Sequence, residues 1–327
     1  MRFLVRRVAF YLVTAWAAVT LNFVIPRLMP GNPAEIVVAK FQGRLSPHAL
    51  ASLTTLFGLN TRASMLDQYF HYWGQLATDN LGISFSFFPE PVSSVIANTL
   101  PWTVVLIGVS TVISFFIGTI AGVIVAWQRG SKWDVLLPPV TTFLSAVPYF
   151  WLGIVCVFFL GDSLHWFPSS GGYALTTSPG FSPAFLSSAA YHAVLPAVTI
   201  VVSSVAGWLL GMRNMMVTTL DEDYVVMAEA KGLKSRRIMY AYAARNAVLP
   251  SLASFAMSLG FVVSGAILVE IVFSYPGVGY VLYQAVNNED FPLMEGVFLV
   301  ITLAVLVANL LADVIYLVVD PRTREEA

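Results

Sequence analysis

Residues 99–127 read TLPWTVVLIGVSTVISFFIGTIAGVIVAW, 29 positions without one charged side chain. A helix that crosses a bilayer core requires about 20 predominantly apolar residues. The same character extends over the whole chain of 327 residues, of which 57% are hydrophobic and 11% are charged. Soluble domains average about 25% charged residues, so this chain has too few to cover a water-exposed surface. Most of it is therefore predicted to lie in lipid.

Five further stretches have the length and hydrophobicity of a membrane span, and they lie approximately at 8–28, 136–160, 193–217, 249–273 and 296–319. The predicted fold class is an all-α polytopic membrane protein with six transmembrane helices. The first stretch has features of a signal peptide, because Arg2, Arg6 and Arg7 precede an apolar run that contains Ala15-Trp16-Ala17. Hydrophobicity continues to Ile25, so we expect an uncleaved first helix.

The distribution of lysine and arginine predicts the orientation in the membrane. Thirteen of the 17 lie in the N-terminal segment, the second-to-third loop, the fourth-to-fifth loop or the tail: Arg2, Arg6, Arg7, Arg129, Lys132, Arg213, Lys231, Lys234, Arg236, Arg237, Arg245, Arg322 and Arg324. The segments 161–192 and 274–294 contain none. Both termini are therefore predicted to be cytoplasmic, in a multi-pass protein of the cytoplasmic membrane.

The segment 29–98 is the part of the sequence that reads as soluble, and it is predicted to be extracytoplasmic. Within this segment, Ser46-Pro47 and Gly58 favour a capped helix between them, which begins after Ser46 and ends before Gly58. Residues 82–85 are predicted to be extended. Residues 91–98 are predicted to form a short interfacial helix that leads into the second span.

A second extracytoplasmic helix is predicted over 63–77, with one apolar face formed by Leu66, Tyr69, Phe70 and Trp73. Two interpretations fit the extracytoplasmic segment as a whole. It is either a small cap packed on the outer membrane face or a docking surface for an external protein. Composition does not distinguish between these two roles.

Motifs for nucleotide and metal chemistry are absent from the sequence. It contains no G-x-x-x-x-G-K-[ST] phosphate loop, no H-E-x-x-H and no C-x-x-C, and a net charge of −1 does not favour nucleic-acid binding. We therefore expect no cofactor in this chain and no enzyme activity of its own. Three acidic residues lie in or beside the predicted spans, Glu270, Glu295 and Asp313. Structural or interface roles are favoured for them over proton transport.

A dense run of charge, DEDYVVMAEAKGLKSRRIMY at 221–240, lies between the fourth and fifth predicted spans. Its three initial acids suit a helix N-terminus, where the macrodipole favours negative charge, and Gly232 permits the left-handed turn that ends a helix. A second helix is predicted over 234–250. The first helix has a short apolar face formed by Tyr224, Val225 and Ala228. Such a helix suits a partner's groove or acidic lipid headgroups, and the pattern alone slightly favours lipid.

Two segments of this loop carry a family resemblance, DYVVMAEAKGL at 223–233 and RNAVLP at 245–250. They resemble the cytoplasmic coupling loop of ABC-importer permeases, and more narrowly the B-type permease subunit of dipeptide and oligopeptide importers. The matching positions are Asp223, Tyr224, Ala228, Ala230, Lys231, Gly232, Leu233, Arg245, Asn246, Ala247 and Pro250. SAVPYFWLG at 145–153, VEIVFSYPGVG at 269–279 and NLLADVIYLVVDPR at 309–322 also look familial, so the resemblance extends over nearly the whole chain.

The resemblance implies the type I ABC importer permease architecture in the cytoplasmic membrane of a prokaryote. It implies a heterodimer with a second homologous permease subunit, two ATP-binding subunits that hold ATP and Mg²⁺, and an extracytoplasmic substrate-binding protein. The ATPase-coupling residues that it implies are Asp223, Tyr224, Ala228, Glu229, Ala230, Lys231, Gly232, Leu233 and Arg237. The expected segments are 1–28 (first helix), 29–98 (extracytoplasmic), 99–320 (five-helix permease core with coupling loop 218–248) and 321–327 (cytoplasmic tail).

The resemblance implies di- or oligopeptides as the substrate, although similar permeases serve nickel chelates, haem and oligosaccharides. A peptide path favours neutral polar groups, and the candidates are Ser145, Pro148, Ser254, Ser258, Ser264 and Glu270. Hydrogen bonding of each serine to its own helix is an equal alternative. Two other functions compete with an importer subunit: a membrane scaffold or sensor that moves nothing, and a standalone secondary carrier. Co-purification with two P-loop ATPases favours the importer, whereas transport driven by an ion gradient alone favours the carrier.

Overall fold

The computed structural model describes residues 2–28, 64–78, 80–264 and 267–319, and every regular element within these ranges is helical. An isolated antiparallel bridge joins Ile83 to Pro91, in agreement with the extended run predicted at 82–85. The helix predicted between Ser46 and Gly58 and the tail 321–327 lie outside the described residues.

In the part of the chain that the structure describes, two helices precede the core of the fold, α1 (Arg2–Leu28) and α2 (Met65–Ala77). The next ten are α3 (Val92–Trp127), α4 (Lys132–Ala146), α5 (Tyr149–Cys156), α6 (Pro183–Leu220), α7 (Asp223–Ala230), α8 (Ser235–Arg237), α9 (Arg245–Gly260), α10 (Ile267–Val272), α11 (Val278–Asn287) and α12 (Phe291–Val319). The helix of α5 continues in π-helical form over Val157–Ser163, and a π-helical segment, Ile238–Ala244, joins α8 to α9. A 3₁₀ turn, Phe261–Ser264, follows α9.

Among the described residues, five helical stretches are long and apolar enough to cross a membrane: Arg7–Leu28, Val92–Trp127, Pro183–Leu220, Ser235–Val263 and Phe291–Leu310. A sixth exists if α4 and α5 form one span, although their axes differ by 89°. The predicted span 136–160 is therefore not one straight helix. Pro148 disfavours the helical conformation at the residue before it, and Val147 has an extended ψ of 125°.

Three other predicted boundaries also differ from the structure. The short helix predicted at 91–98 is the first part of α3, which runs without interruption from Val92. The helix predicted to end at Pro250 continues through that proline as α9. The predicted span 249–273 is not one helix, because α9 ends at Gly260 and α10 begins separately at Ile267. Hydrophobicity and the positions of prolines set these predictions, whereas the helix ends depend on backbone geometry that neither reports.

Close packing of α3 against α6 forms the centre of the fold. A Cβ added to Gly118 of α3 would lie 2.7 Å from the carbonyl oxygen of Val205, and one added to Gly122 would lie 2.6 Å from that of Leu209. The two backbones approach this closely only because both positions lack a side chain, as at other close helix crossings in membranes.

The helix α2 packs against α1 through its aromatic residues. Tyr72 is buried, and the hydroxyls of Tyr69 and Thr20 are hydrogen-bonded at 2.8 Å. Of the predicted apolar face, Tyr69 and Trp73 pack on the cluster with α1, whereas Leu66 and Phe70 are exposed by 68% and 70%. The buried face follows the contacts that α1 provides, which the sequence of α2 alone does not show.

At the end of the bundle where α2 lies, polar side chains join α1 and the 82–91 loop to α12. Asp290 precedes α12, and its carboxylate accepts hydrogen bonds from the Ser84 hydroxyl at 2.6 Å and the Ser86 amide at 2.7 Å. The Arg27 guanidinium of α1 forms an ion pair with Glu295 of α12. These contacts attach α1 and the 82–91 loop to α12, at the end of the bundle opposite α7.

Candidate functional site

The charged loop predicted from the sequence forms a compact helix–turn–helix at one end of the bundle. The helix α7 begins after Glu222, and Asp223 lies in its first turn, where the helix dipole favours a negative charge. Its C-terminal turn contains Gly232 at a φ of +67°. The Gly232 amide donates to the Glu229 carbonyl at 2.8 Å, and the Leu233 amide donates to the Ala228 carbonyl at 3.3 Å. Such bonds close a helix with a left-handed residue.

Two small apolar residues hold α7 on the ends of the core helices. Val225 and Ala228 are 1% and 2% exposed. They belong to a buried cluster with residues of α3, α6, α9 and the π-helical segment: Val123, Ala126, Met212, Met216, Ile238, Met239, Ala243 and Ala247. Tyr224 is 38% exposed, so the predicted apolar face contains one residue that points away from the cluster.

The other residues predicted for coupling form a surface on α7 and its turn. Asp223, Tyr224, Glu229, Ala230, Lys231, Gly232 and Arg237 are exposed, Leu233 is half-buried and Ala228 is buried. Neither Asp223, Glu229 nor Lys231 forms an ion pair with another described residue. The loop therefore presents exposed acidic and basic side chains above the buried Val225 and Ala228.

An ion pair attaches α4 to this same end of the bundle. The Nε and one Nη of Arg213 in α6 each lie 2.7 Å from Oδ1 of Asp134 in α4. The other carboxylate oxygen of Asp134 accepts the Gly130 amide at 2.9 Å. Arg213 is adjacent to Met212, which belongs to the buried cluster that contains Val225 and Ala228 of α7. The ion pair therefore links the position of α4 to the residues on which α7 packs.

A cavity of about 540 Å³ opens between α3, α6 and α9. Small, hydroxylic or apolar residues line it: Thr111, Ser114, Ser204, Gly207, Trp208, Gly211, Met215, Pro250, Ser251, Ser254 and Ser258. None of these lining residues is charged. A cavity with this lining can offer hydrogen bonds to a polar molecule without selecting the sign of its charge.

The structure separates the six residues predicted for the pathway. Ser254 and Ser258 line the cavity, and their hydroxyls donate to the carbonyls of Pro250 and Ser254, at 3.1 Å and 2.9 Å. In both cases the hydroxyl donates to a carbonyl of its own helix, four residues earlier. Each serine oxygen can therefore still accept a hydrogen bond from a molecule in the cavity. Ser145 is exposed outside the cavity lining, and Pro148 lies at the α4–α5 bend. The side chain of Ser264 lies outside the described residues.

Glu270 occupies a buried position between α3 and the start of α11. Its carboxylate accepts the Thr103 hydroxyl at 2.7 Å, the Gly279 amide at 2.7 Å and the Tyr280 amide at 3.2 Å. It is fully buried and does not line the cavity. Nearby Tyr275 lies outside the spans, where burial and the Glu270 carboxylate raise the pKa of its hydroxyl above the usual value. The burial of Glu270 and its three hydrogen bonds are those of a residue that stabilises packing.

Several cavity residues were missed by the sequence reasoning, among them Thr111, Ser114, Ser204 and Trp208. One signal was present in α6, where Ser204, Gly207 and Gly211 recur at helical spacing within an apolar run. The contribution of α3 had no comparable signal, because Thr111 and Ser114 are two of several hydroxyl residues on that helix.

The sequence is similar to those of known membrane transport proteins. Residues 118–325 match the family described as binding-protein-dependent transport system inner membrane component. The di/tripeptide transport system permease protein DppB of Pseudomonas aeruginosa (strain UCBPP-PA14) is 33% identical, with 99% of each chain covered. The oligopeptide transport system permease protein AppB of Bacillus subtilis (strain 168) is 30% identical, with 98% of each chain covered. The dipeptide transport system permease protein DppB of Lactococcus lactis subsp. cremoris (strain MG1363) is 28% identical, with 99% of each covered.

Proposed function

The chain belongs to the family of binding-protein-dependent transport system inner membrane components, and from this premise we propose that it is a permease subunit of an ATP-driven importer of di- or oligopeptides. The observation that carries the proposal is similarity over nearly the full length to peptide permeases from several bacteria. The neutral cavity supports it further, because a peptide importer must accept side chains of either charge.

The proposed orientation places α7 and both termini in the cytoplasm. Lysine and arginine are concentrated at that end of the bundle, at positions such as Arg129, Lys132, Lys231 and Arg237, as the positive-inside rule expects for cytoplasmic segments. The α2 end then faces the extracytoplasmic binding protein that delivers the substrate. The chain is accordingly a multi-pass protein of the inner membrane.

The proposed coupling element is α7 with its Gly232 turn, within the loop 218–248. The sequence has no phosphate loop, so ATP and Mg²⁺ bind in two partner ATPase subunits, whose grooves receive the exposed face of α7. Val225 and Ala228 fix α7 to α3, α6 and α9. Movement of the ATPases therefore displaces helices that line the cavity, and packed helices respond by switching between discrete arrangements.

The proposed pathway is the cavity between α3, α6 and α9, completed by a second homologous permease subunit. ATP alters the pathway only to the extent that the ATPases bind it more tightly in one arrangement of the helices than in the other. Ser254 and Ser258 are the predicted pathway residues that this placement retains.

The experiment that tests the function is peptide uptake by the purified complex in proteoliposomes, with Gly232→Pro as the coupling variant. Proline fixes φ near about −65° and has no amide hydrogen, whereas Gly232 has a φ of +67° and donates to Glu229. We expect at least a tenfold loss of peptide uptake and loss of peptide-stimulated ATP hydrolysis, while the ATPases keep their unstimulated rate.

The matched control is Gly171→Pro. Gly171 also has a positive φ, of +84°, and its amide also donates, to the Phe273 carbonyl at 2.8 Å, but it lies at the α2 end. The control should keep its ATPase subunits bound and should keep peptide-stimulated ATP hydrolysis. If the wild-type complex imports no peptide, the proposed function is wrong; if Gly232→Pro imports peptide at the normal rate, the coupling role alone is wrong.

A further inference from the structure

Two glycines of α6 line the cavity, and none of the residues that the structure describes packs against them. Gly207 and Gly211 are one turn apart and both line the cavity. A Cβ added to either would meet no atom within 4 Å. Both therefore lie on the side of α6 that faces open space.

Packing does not account for these two glycines, as it does for those of α3. At Gly118 and Gly122 an added Cβ would collide with α6, so glycine is required for the helices to approach. Glycine within a helix is less favourable than alanine at the same position. At Gly207 and Gly211 neither a contact nor a positive φ offsets that cost. The absence of side chains at these two positions makes the cavity wider.

Most of the other residues that line the cavity have short side chains. Ser251, Ser254 and Ser258 of α9 and Thr111 and Ser114 of α3 line the cavity, and Trp208 is the one large aromatic residue among the lining residues. A leucine at position 207 or 211 would therefore enter space that is open in the structure. The helix itself would tolerate the change, because leucine is a better helix former than glycine.

We propose that Gly207 and Gly211 set the width of the translocation pathway and thereby the upper size of the peptides that pass. This inference rests on the proposed function, and it adds a size limit located in the permease itself. The limit depends on side-chain volume at two positions and not on charge, because the lining is neutral.

The test is a graded series, Gly207→Ala and Gly207→Leu with Gly211→Ala and Gly211→Leu, in the purified complex. Uptake is measured for a labelled dipeptide and a labelled pentapeptide in proteoliposomes. We expect each alanine variant to retain dipeptide uptake within about twofold. We expect each leucine variant to lose at least tenfold of pentapeptide uptake and much less of dipeptide uptake.

The matched control is Gly74→Leu, a glycine of α2 at which an added Cβ also meets no atom within 4 Å but which lies outside the cavity. It should transport both peptides as the wild type does. Gly118→Leu serves as the opposite control and should reduce the yield of folded complex, because Trp208 and Val205 occupy the required space.

A second readout does not depend on transport. The variant combines two substitutions. Cys156→Ala removes the one native cysteine of this chain, and Gly207→Cys places a thiol in the cavity wall. Small methanethiosulfonate reagents should label it much faster than bulky ones, and an excess of peptide should slow both.

Three outcomes overturn the inference. One is unchanged pentapeptide uptake in both leucine variants. Another is loss of the second permease subunit from the leucine variants on purification, which would assign the glycines to subunit contact. The third is failure of the Gly207→Cys thiol to react with any reagent. A wild-type complex that imports neither peptide contradicts the proposed function instead.

Discussion

Glu270 joins three parts of the fold through one side chain. Both carboxylate oxygens accept hydrogen bonds, from Thr103 of α3 and from the Gly279 and Tyr280 amides at the start of α11. The Thr103 oxygen in turn accepts the Val278 amide at 2.8 Å. The first amides of a helix have no partner within it, so a buried carboxylate at this point satisfies groups that would otherwise lose their hydrogen bonds.

Glu270→Ala should destabilise the protein substantially. The change leaves the Gly279 and Tyr280 amides and the Thr103 hydroxyl without their acceptor, and each unsatisfied buried donor costs about 1–3 kcal/mol. We expect the thermal unfolding temperature of the detergent-solubilised complex to fall by several degrees. Glu90→Ala, which removes an exposed carboxylate, should leave it unchanged. Equal unfolding temperatures for the two variants would refute the packing role of Glu270.

At the scale of elements, the Arg213–Asp134 pair is the polar contact that ties α4 to α6. Side-chain exposure is 26% for Arg213 and 9% for Asp134, so water screens the pair only in part. Beyond this contact α4 runs to the bend at Pro148, and α5 then packs through Gly153 against Phe273 and Thr199. Displacement of the α7 end can reach the opposite end of the bundle along this chain of contacts.

Reversing the charges of this pair tests the link. Asp134→Arg and Arg213→Asp should each place like charges together, and each should reduce peptide uptake by at least tenfold. The double variant restores attraction and should recover a large part of the uptake, although it loses the bond from the Gly130 amide to Asp134. Lys132→Ala removes an exposed neighbouring charge and should have no effect. A double variant as inactive as the worse single variant would show that the ion pair is not what matters.

For the whole molecule, the decisive feature is a neutral cavity within a chain of low charge. Its lining comes from three helices, and the lining residues carry no charge. A fixed charge placed in this wall would therefore introduce a selectivity by charge that the wild type lacks. A tenfold discrimination corresponds to about 1.4 kcal/mol, which a single charge in a site of low polarity readily supplies.

Ser254→Asp should reduce uptake of acidic dipeptides about tenfold relative to lysine-containing dipeptides, by like-charge repulsion of about 1.4 kcal/mol. The measurement is competition uptake of the two peptides by the same proteoliposomes. Ser145→Asp is the matched control, because Ser145 was predicted for the pathway but is exposed outside the cavity lining. If the aspartate at position 145 produces the discrimination and that at position 254 does not, the cavity is not the pathway.

Predictions from the sequence succeeded where the cause was local. The left-handed turn at Gly232 and the helix that begins near Asp223 follow from residues within one short segment. The sequence did not show which part of the apolar face of α2 is packed, because α1 contacts Tyr69 and Trp73 and leaves Leu66 and Phe70 exposed. The predicted span 136–160 is bent by 89° at Pro148, and the size of that bend is not reported by hydrophobicity.

The sequence by itself determined that the chain is a helical membrane protein, and it located the charged loop that becomes α7. Composition and periodicity act over neighbouring residues, so a single chain read in order contains that information. Only the tertiary structure decided that Glu270 packs against Thr103, 167 positions away, and that Asp134 meets Arg213, 79 positions away. It also decided which serines and glycines share one cavity. Such relations depend on how separate helices cross, and the crossing of α3 and α6 is set by where two glycines let their backbones touch.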